Sequence, residues 1–171
     1  FNGSRLVFGC GAALSKQPRD ELLHTAFDHG VNVFDVGYSD YYDDAEKNLA
    51  PFLKQKRDDI FLISKAPIPA GIEFDETLDV STAKQAAKGW LKELDRSLKT
   101  LQVEHVDAYY QMAGNNVSVI ANEEVYAAFE SAKAAGKVSH LGVSTHQNAE
   151  NVLKTMIDTD WYSLVQIAVT P

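Results

Sequence analysis

The chain has 171 residues, 45% of them apolar and 23% charged, a composition typical of a soluble globular protein with one sizeable core. It carries 24 acidic against 16 basic side chains, and this net charge of −8 excludes a sequence-independent nucleic-acid binder, which needs clustered excess lysine and arginine. No apolar run reaches the roughly 20 residues of a membrane-spanning helix, so we expect no membrane partner.

Six apolar runs of strand length alternate with segments of helical spacing. In chain order the predicted strands cover residues 5–9, 31–35, 60–64, 106–110, 138–143 and 164–169. The predicted helices between them cover residues 17–29, 43–56, 81–101, 123–135 and 148–157. Strand starts recur every 26 to 46 residues, which favours a parallel sheet because a crossover helix must fit between neighbouring strands.

Two further features refine this alternation. Residues 67–80 are polar and interrupted by proline and glycine, and therefore predict a surface loop at the strand ends, where functional insertions tend to lie. The large aromatic residues Trp90, Tyr109 and Tyr110 are expected to pack between the strands and the helices.

Parallel strands with crossover helices form either a closed barrel or an open doubly wound sheet. A dinucleotide-binding open sheet predicts G-x-G-x-x-G after its first strand, whereas this chain has Gly9, Gly11 and then Leu14. The predicted fold class is therefore α/β, a (β/α)8 TIM barrel. Because eight units take about 250 residues, we expect residues 1–171 to form a single barrel domain with about six of the eight units, truncated before the last two.

The chemistry of parallel βα folds gathers at the carboxyl ends of the strands. Asp35 and Lys65 end adjacent predicted strands, and a buried lysine there needs a carboxylate partner. A lysine ammonium also lowers the pKa of a nearby phenol from about 10, which makes a tyrosine a usable proton donor to a carbonyl oxygen. Tyr38, Tyr41 and Tyr42 follow Asp35 closely, so the residues predict one device in which Asp holds Lys, Lys tunes Tyr and Tyr protonates a substrate.

Six motifs, in this order and at this spacing, resemble those of the aldo-keto reductase family. They are LVFGCGA, NVFDVGYSDYY, IFLISKA, HVDAYYQM, GKVSHLGVSTH and LVQIAVTP, and together they span essentially the whole chain. The resemblance implies an oxidoreductase that reduces an aldehyde or ketone by hydride transfer. It also implies NADP(H) or NAD(H) as the cofactor and a small-molecule carbonyl compound as the substrate.

The family's catalytic set is Asp, Tyr, Lys and His, and the resemblance carries it over in part. Asp35 and Lys65 match directly. In the family the catalytic Tyr follows the catalytic Asp by five residues, and in this chain that position is Asp40. If the loop after Gly37 contains one inserted residue, Tyr41 takes the position of the catalytic Tyr. Tyr41 is therefore the predicted proton donor, with Tyr42 next.

The family's histidine is replaced in this chain. Depending on where the count begins, Met112 or Ala113 takes its position, and neither side chain donates a hydrogen bond of any strength. His146, at the neighbouring strand end, is a candidate substitute. Because this histidine is replaced, the sequence does not decide whether the chain is an active reductase.

The resemblance also implies cofactor contacts. Ser144, Thr145 and Gln166 fall on the positions that hold the nicotinamide amide, and the backbone of Cys10 and Gly11 falls where the chain approaches the cofactor, as does Asp35. The family's main adenosine-phosphate contacts belong to the seventh and eighth units, so NADPH and NADH are not distinguished.

Two other functions stay open, and two absences are predicted. The lost histidine fits a nucleotide-binding relative with little or no turnover, and Lys65 at a strand end fits, less well, a lyase that forms a Schiff base. No His, Asp or Glu grouping has metal-ligand spacing, so we predict no metal site. A single cysteine, Cys10, excludes an internal disulfide and fits a cytoplasmic location.

Overall fold

The computed structural model describes residues 1–73 and 75–169, in which six parallel strands form one sheet. The strands follow chain order across the sheet, so that each pairs with its successor. They are β1 (Val7–Gly9), β2 (Val33–Asp35), β3 (Phe61–Ala66), β4 (Val106–Gln111), β5 (Val138–Thr145) and β6 (Leu164–Ile167). The predicted α/β class with parallel strands is confirmed for six units, which curl into a half-barrel.

Eight α-helices accompany the sheet in the described part of the chain, together with a short 3-10 helix at Arg57–Asp59. They are α1 (Cys10–Leu14), α2 (Asp20–Asp28), α3 (Ser39–Tyr42), α4 (Ala45–Lys56), α5 (Val80–Leu101), α6 (Val117–Ile120), α7 (Glu123–Ala134) and α8 (Ala149–Thr159). The five long helices match the predicted ones. The short helices α1, α3 and α6 were not predicted from the sequence, and each lies between the carboxyl end of a strand and the next long helix.

The longest helix, α5, shows how local chemistry sets the element boundaries. The Asp79 carboxylate accepts hydrogen bonds from the backbone N–H groups of Ser81 and Thr82, which satisfies two of the donors that a helix start leaves free. Gln102 ends the helix in the left-handed region at φ 58°. Between these ends, one face of α5 packs on the sheet through Trp90, Leu94 and other apolar residues.

The two faces of the sheet carry different chemistry because successive side chains of a strand point to opposite sides. Tyr109 faces the helices, where its ring lies 5.0 Å from that of Trp90, as predicted. Tyr110 faces the other side and packs with Val33 and Ile63, so the prediction that it packs against the helices was wrong. Asp35 and Lys65 stand two residues beyond Val33 and Ile63 on the same strands, and therefore share this inner face.

A polar network closes the opposite end of the sheet, where β3, β4 and β5 begin. The Arg57 guanidinium lies 2.9 Å from an Asp107 carboxylate oxygen, and it also donates to the backbone oxygen of His105 at 2.9 Å. Arg57 Nη2 lies 3.1 Å from His105 Nδ1, and His105 Nε2 lies 2.9 Å from the Ser139 hydroxyl. Because arginine only donates, Nδ1 is the acceptor, and the imidazole proton is on Nε2.

This arrangement makes the stability of the fold depend on pH. Burial lowers the pKa of His105, and the Arg57 charge lowers it further, against the opposing effect of Asp107. A histidine with a lowered pKa in the folded state binds fewer protons there than in the unfolded chain. Its contribution is therefore fully present above the unfolded value near 6.5 and is lost as the pH falls below it.

We predict that His105→Asn removes part of the acid sensitivity of the fold. The difference in free energy of unfolding between the native chain and the variant should be largest above pH 6.5 and shrink as the pH falls, in urea unfolding at a series of pH values. The exposed His29, changed to Asn, serves as the matched control. A difference that stays constant across the series would contradict the role assigned to His105.

Candidate active site

A cavity of about 480 Å³ opens at the carboxyl ends of the strands, on the inner face of the sheet. Residues that end or follow β1 to β6 contribute to its wall, and all the residues predicted for the site except Cys10 and Tyr38 line it. The lining residues are Gly9, Gly11, Ala12, Asp35, Val36, Tyr41, Tyr42, Lys65, Met112, Ala113, Ser144, Thr145, His146, Gln166, Ile167 and Ala168.

A buried ion pair lies in the wall of this cavity. Lys65 Nζ donates to Asp35 Oδ2 at 2.6 Å, and the two side chains are only 6% and 9% exposed. Gln166 closes a triangle with them, because its Oε1 accepts from Lys65 at 3.0 Å while its Nε2 donates to Asp35 at 3.3 Å. The strand ends therefore bring together the pair that the sequence predicted, with Gln166 as a common partner.

The carboxylate of this pair depends on its neighbours for its charge. Burial raises the pKa of Asp35, and the ammonium of Lys65 and the amide of Gln166 oppose that rise. Asp35 Oδ1 is buried and has no hydrogen-bond partner among the described residues. Removing Lys65 would leave an uncompensated buried carboxylate, so the two side chains act as one unit.

The structure separates the two candidate tyrosines by burial. Tyr41 is 64% exposed, whereas the ring of Tyr42 is inserted between Gly11 and Gly37. A Cβ added at Gly11 would lie 2.5 Å from Tyr42 Cδ1, and one added at Gly37 would lie 2.7 Å from Tyr42 Cε2 and 3.0 Å from Lys65 Cγ. Only glycine at both positions permits this approach, which places the Tyr42 ring beside the Lys65 side chain.

The pKa of Tyr42 is raised, whereas the sequence predicted that Lys65 would lower it. Burial raises the pKa of its phenol, and the negative charge of Asp35 raises it further. The lowering that we expected from Lys65 is not found at Tyr42, because desolvation of the phenolate dominates and the carboxylate of Asp35 adds to the rise. The Tyr42 phenol is therefore protonated at neutral pH, the state that a proton donor requires.

The β4 end of the cavity carries no imidazole. Met112 and Ala113, the two positions that replace the family's histidine, both line the cavity, and Ala113 adopts the left-handed region at φ 52°. His146 follows β5 and lines the same cavity with an exposed side chain. Of the described residues that line the cavity, His146 alone brings an imidazole.

The residues predicted to hold a cofactor fall into two groups. Ser144 and Gln166 border the cavity with groups that both donate and accept hydrogen bonds, which fits a carboxamide such as that of a nicotinamide ring. Thr145 borders it too, but its hydroxyl bonds to the Asn115 side chain at 2.7 Å and to the Gln147 backbone at 2.6 Å. The Thr145 hydroxyl therefore joins the loop after β4 to the loop after β5 at the rim of the cavity.

Cys10 lies behind this wall. Its thiol is fully buried in the main core, 3.7 Å from the Phe8 backbone oxygen, and burial raises its pKa above the ordinary range. Such a thiol packs as a small apolar group. The contact predicted for Cys10, through its backbone, stays a prediction.

Residues 1–73 and 75–169 contain no group of three or more His, Cys, Asp or Glu side chains placed to hold a metal ion. None of their helices combines the length and the apolar character needed to cross a membrane.

Comparison with known proteins supports the fold and the family. The model of the aldo/keto reductase family matches residues 3–170. An aldo-keto reductase structure from Pseudomonas aeruginosa superposes with a TM-score of 0.72 at 22% identity, over 96% of this chain and 62% of that one. An aldo-keto reductase from Klebsiella pneumoniae in complex with NADPH gives 0.69 at 24% identity, over 95% of this chain and 54% of that one.

The two matched structures are both longer than this chain. The chain spans less than two thirds of the length of either structure. At these identities the structural likeness shows the fold. No curated protein matches the chain.

We predict that Asp35 and Lys65 are strongly coupled energetically. Asp35→Asn leaves a buried ammonium unpaired and should cost about 3–5 kcal/mol of unfolding free energy, whereas adding Lys65→Met should restore part of the loss. Chemical unfolding of the two single variants and the double variant measures the coupling.

The exposed pair Glu150–Lys154 provides a matched control, because its N–O distance is also 2.6 Å. Neutralising Glu150 to Gln should change stability little, since solvent screens the pair. Losses that simply add in the Asp35 and Lys65 double variant would show that the two side chains do not act as a unit.

Proposed function

Because the chain belongs to the aldo/keto reductase family, we propose that it reduces an aldehyde or ketone to an alcohol. The observation that carries the proposal is the buried Asp35–Lys65 pair, with the Tyr42 ring and the Lys65 side chain both close to Gly37, at the strand ends of the half-barrel. A nicotinamide dinucleotide, when bound, supplies the hydride. Either NADP(H) or NAD(H) can serve, and the family's structure from Klebsiella pneumoniae, a complex with NADPH, supports the first.

The residues of this chain supply the proton and the charges around it. We assign the proton donor to Tyr42 in preference to Tyr41, because the Tyr42 ring and the Lys65 side chain both lie close to Gly37 whereas Tyr41 is largely exposed. As the Tyr42 proton moves to the carbonyl oxygen, the nearby ammonium of Lys65 stabilises the phenolate that forms. Asp35 acts through Lys65 by holding the ammonium at the wall of the cavity.

The remaining polar residues would hold and orient the dinucleotide. We assign the donors and acceptors for its carboxamide to Ser144 and Gln166, and a backbone contact to Gly11, because all three residues line the cavity. Gln166 also contacts both members of the ion pair, so its side chain links the cofactor position to the proton-transfer residues. Small and apolar residues such as Ala12, Val36 and Ala168 leave room for a flat ring.

A nucleotide-binding relative with little turnover is the second candidate. Met112 and Ala113 favour it, because neither can hydrogen-bond a carbonyl oxygen from the β4 end of the cavity. A Schiff-base lyase is less well supported. The Lys65 nitrogen donates to both Asp35 and Gln166, whereas a Schiff base forms from a free amine.

We predict that Tyr42→Phe lowers aldehyde-dependent oxidation of NADPH by about 100-fold or more, the usual contribution of a positioned proton donor. Lys65→Met should lower it as severely. Tyr41→Phe is the matched control and should retain most of the activity. The decrease in NADPH absorbance with a panel of aldehydes and ketones measures all three variants.

A parallel titration of the chain with NADPH, followed by fluorescence, separates the two candidate functions. Saturable binding together with aldehyde-dependent oxidation supports the reductase. Saturable binding without oxidation favours the nucleotide-binding relative. A loss confined to Tyr41→Phe would return the proton donor to Tyr41.

A further inference from the structure

A buried carboxyl group on the helix side of the sheet has no part in the proposed reaction. Glu46 lies in the first turn of α4, and only 1% of its surface is exposed. Burial raises its pKa, and the hydroxyls of Ser97 and Ser64 are the strongest of the groups that oppose the rise. Acidic side chains are almost never fully buried without polar partners, so the contacts of Glu46 indicate what this residue does.

Glu46 binds the strand that carries Lys65. The hydroxyl of Ser64 donates to Glu46 Oε1 at 3.0 Å, and both side chains are buried. Ser64 immediately precedes Lys65 in β3, and successive side chains of a strand point to opposite faces. Ser64 therefore faces α4 while Lys65 faces the cavity. The hydrogen bond to Glu46 holds β3 one residue away from the side chain that bears the ammonium group.

Residues 38–46, which we call the tyrosine segment, are attached to β3 at both ends. At the start of the segment, the Tyr38 N–H donates to the backbone oxygen of Lys65 at 3.0 Å. At its end, Glu46 accepts the hydrogen bond from β3 described above. Tyr42 lies between these two attachments, in the short helix α3. The tyrosine segment is therefore fastened to two consecutive residues of β3, one of which is the lysine of the buried ion pair.

Two ion pairs of the tyrosine segment lie on the surface. Asp40 pairs with Arg96 at 2.7 Å and Asp43 pairs with Lys16 at 2.6 Å, and all four side chains are 45% exposed or more. Solvent screens such pairs, and they usually contribute little. A buried hydrogen bond to a carboxyl group is worth more. The bond to Glu46 is therefore a stronger constraint on the position of the segment than either ion pair.

We propose that Glu46 is a positioning residue that sets the placement of Tyr42 relative to Lys65, by holding the tyrosine segment against β3. The inference rests on the proposed function, which gives Tyr42 and Lys65 their roles in proton transfer. Without the bond to Ser64, the segment moves and the phenol is no longer aligned with the ammonium. The loss falls on the chemical step and spares NADPH binding, because the residues assigned to the carboxamide lie on β5 and β6.

Kinetics of single and double variants test this role. Glu46→Met removes the acceptor and should lower kcat for hexanal about tenfold or more, with KM for NADPH changed little. Glu46→Gln keeps an acceptor oxygen for Ser64 and should restore most of kcat. Ser64→Ala removes the same bond from the strand side and should lower kcat to a similar extent. Combined with Glu46→Met, it should add no further loss.

Glu150→Met is the matched control for these variants. Glu150 is the second residue of α8 and follows an alanine, as Glu46 is the second residue of α4 and follows an alanine, but its side chain is exposed. The two substitutions remove the same charge from the start of a helix. Glu150→Met should therefore leave kcat unchanged.

An NMR measurement follows Tyr42 directly and needs no turnover. The chain carries tyrosine labelled with carbon-13 in the ring, and the Tyr42 signal is assigned by its loss in Tyr42→Phe. Ser64→Ala should shift this signal, although Ser64 belongs to β3, and Glu46→Met should shift it too. Glu46→Gln should leave the signal near its native position. The ring signal of Tyr126, in α7, is the internal control and should not move.

The outcomes separate this inference from the proposed function. If Ser64→Ala leaves the Tyr42 signal in place, or leaves kcat unchanged in an active chain, Glu46 does not position the segment. The same conclusion follows if Glu46→Gln is as impaired as Glu46→Met, and where Glu46→Met does not fold, Ser64→Ala decides alone. If the Tyr42 signal moves but the native chain reduces no aldehyde, the positioning is supported and the reductase function is wrong.

Discussion

The site depends on one constraint: a lysine and a carboxylate that are buried together must stay paired. Asp35 and Lys65 end neighbouring strands on the same face, and neither can lose its partner without leaving a charge in the protein interior. The parallel sheet satisfies this constraint directly, because it brings successive strand ends to one rim. Gln166 lies on β6, four strands from Asp35 and three from Lys65 along the sheet order, and it bonds to both, so the curl of the half-barrel is also part of the site.

The same pairing sets the chemistry of its surroundings. Desolvation and the charge of Asp35 raise the pKa of the half-buried Tyr42 phenol, so the phenol keeps its proton at neutral pH. In the proposed function, the Lys65 ammonium then stabilises the negative charge that develops on the tyrosine. The glycines at positions 11 and 37 follow from the same geometry, since a larger residue would exclude the ring from the pair. At the β4 end of the cavity, Met112 and Ala113 provide the wall and bring no imidazole.

Much of this could be predicted from the sequence, and the failures have physical causes. The strand-end rule placed Asp35 and Lys65 together because parallel strands bring their carboxyl ends to one edge. The choice between Tyr41 and Tyr42 depends on the short helix α3, whose turn no hydrophobic period marks. The hydrogen bonds from the Asn116 side chain to the backbone oxygens of Glu73 and Glu76 were missed because those partners lie 43 and 40 residues away, although an Asn before an apolar run is a helix-start signal.

The most direct test of the account is the fate of hydrogen in the reaction. The chain is supplied with NADPH deuterated at the transferable position and with hexanal, and the alcohol is examined by mass spectrometry. The account predicts one deuterium on the former carbonyl carbon, formed with the native chain and lost with Lys65→Met. An alcohol without deuterium, or no alcohol while NADPH binds saturably, would contradict a hydride-transfer site built on the Asp35–Lys65 pair.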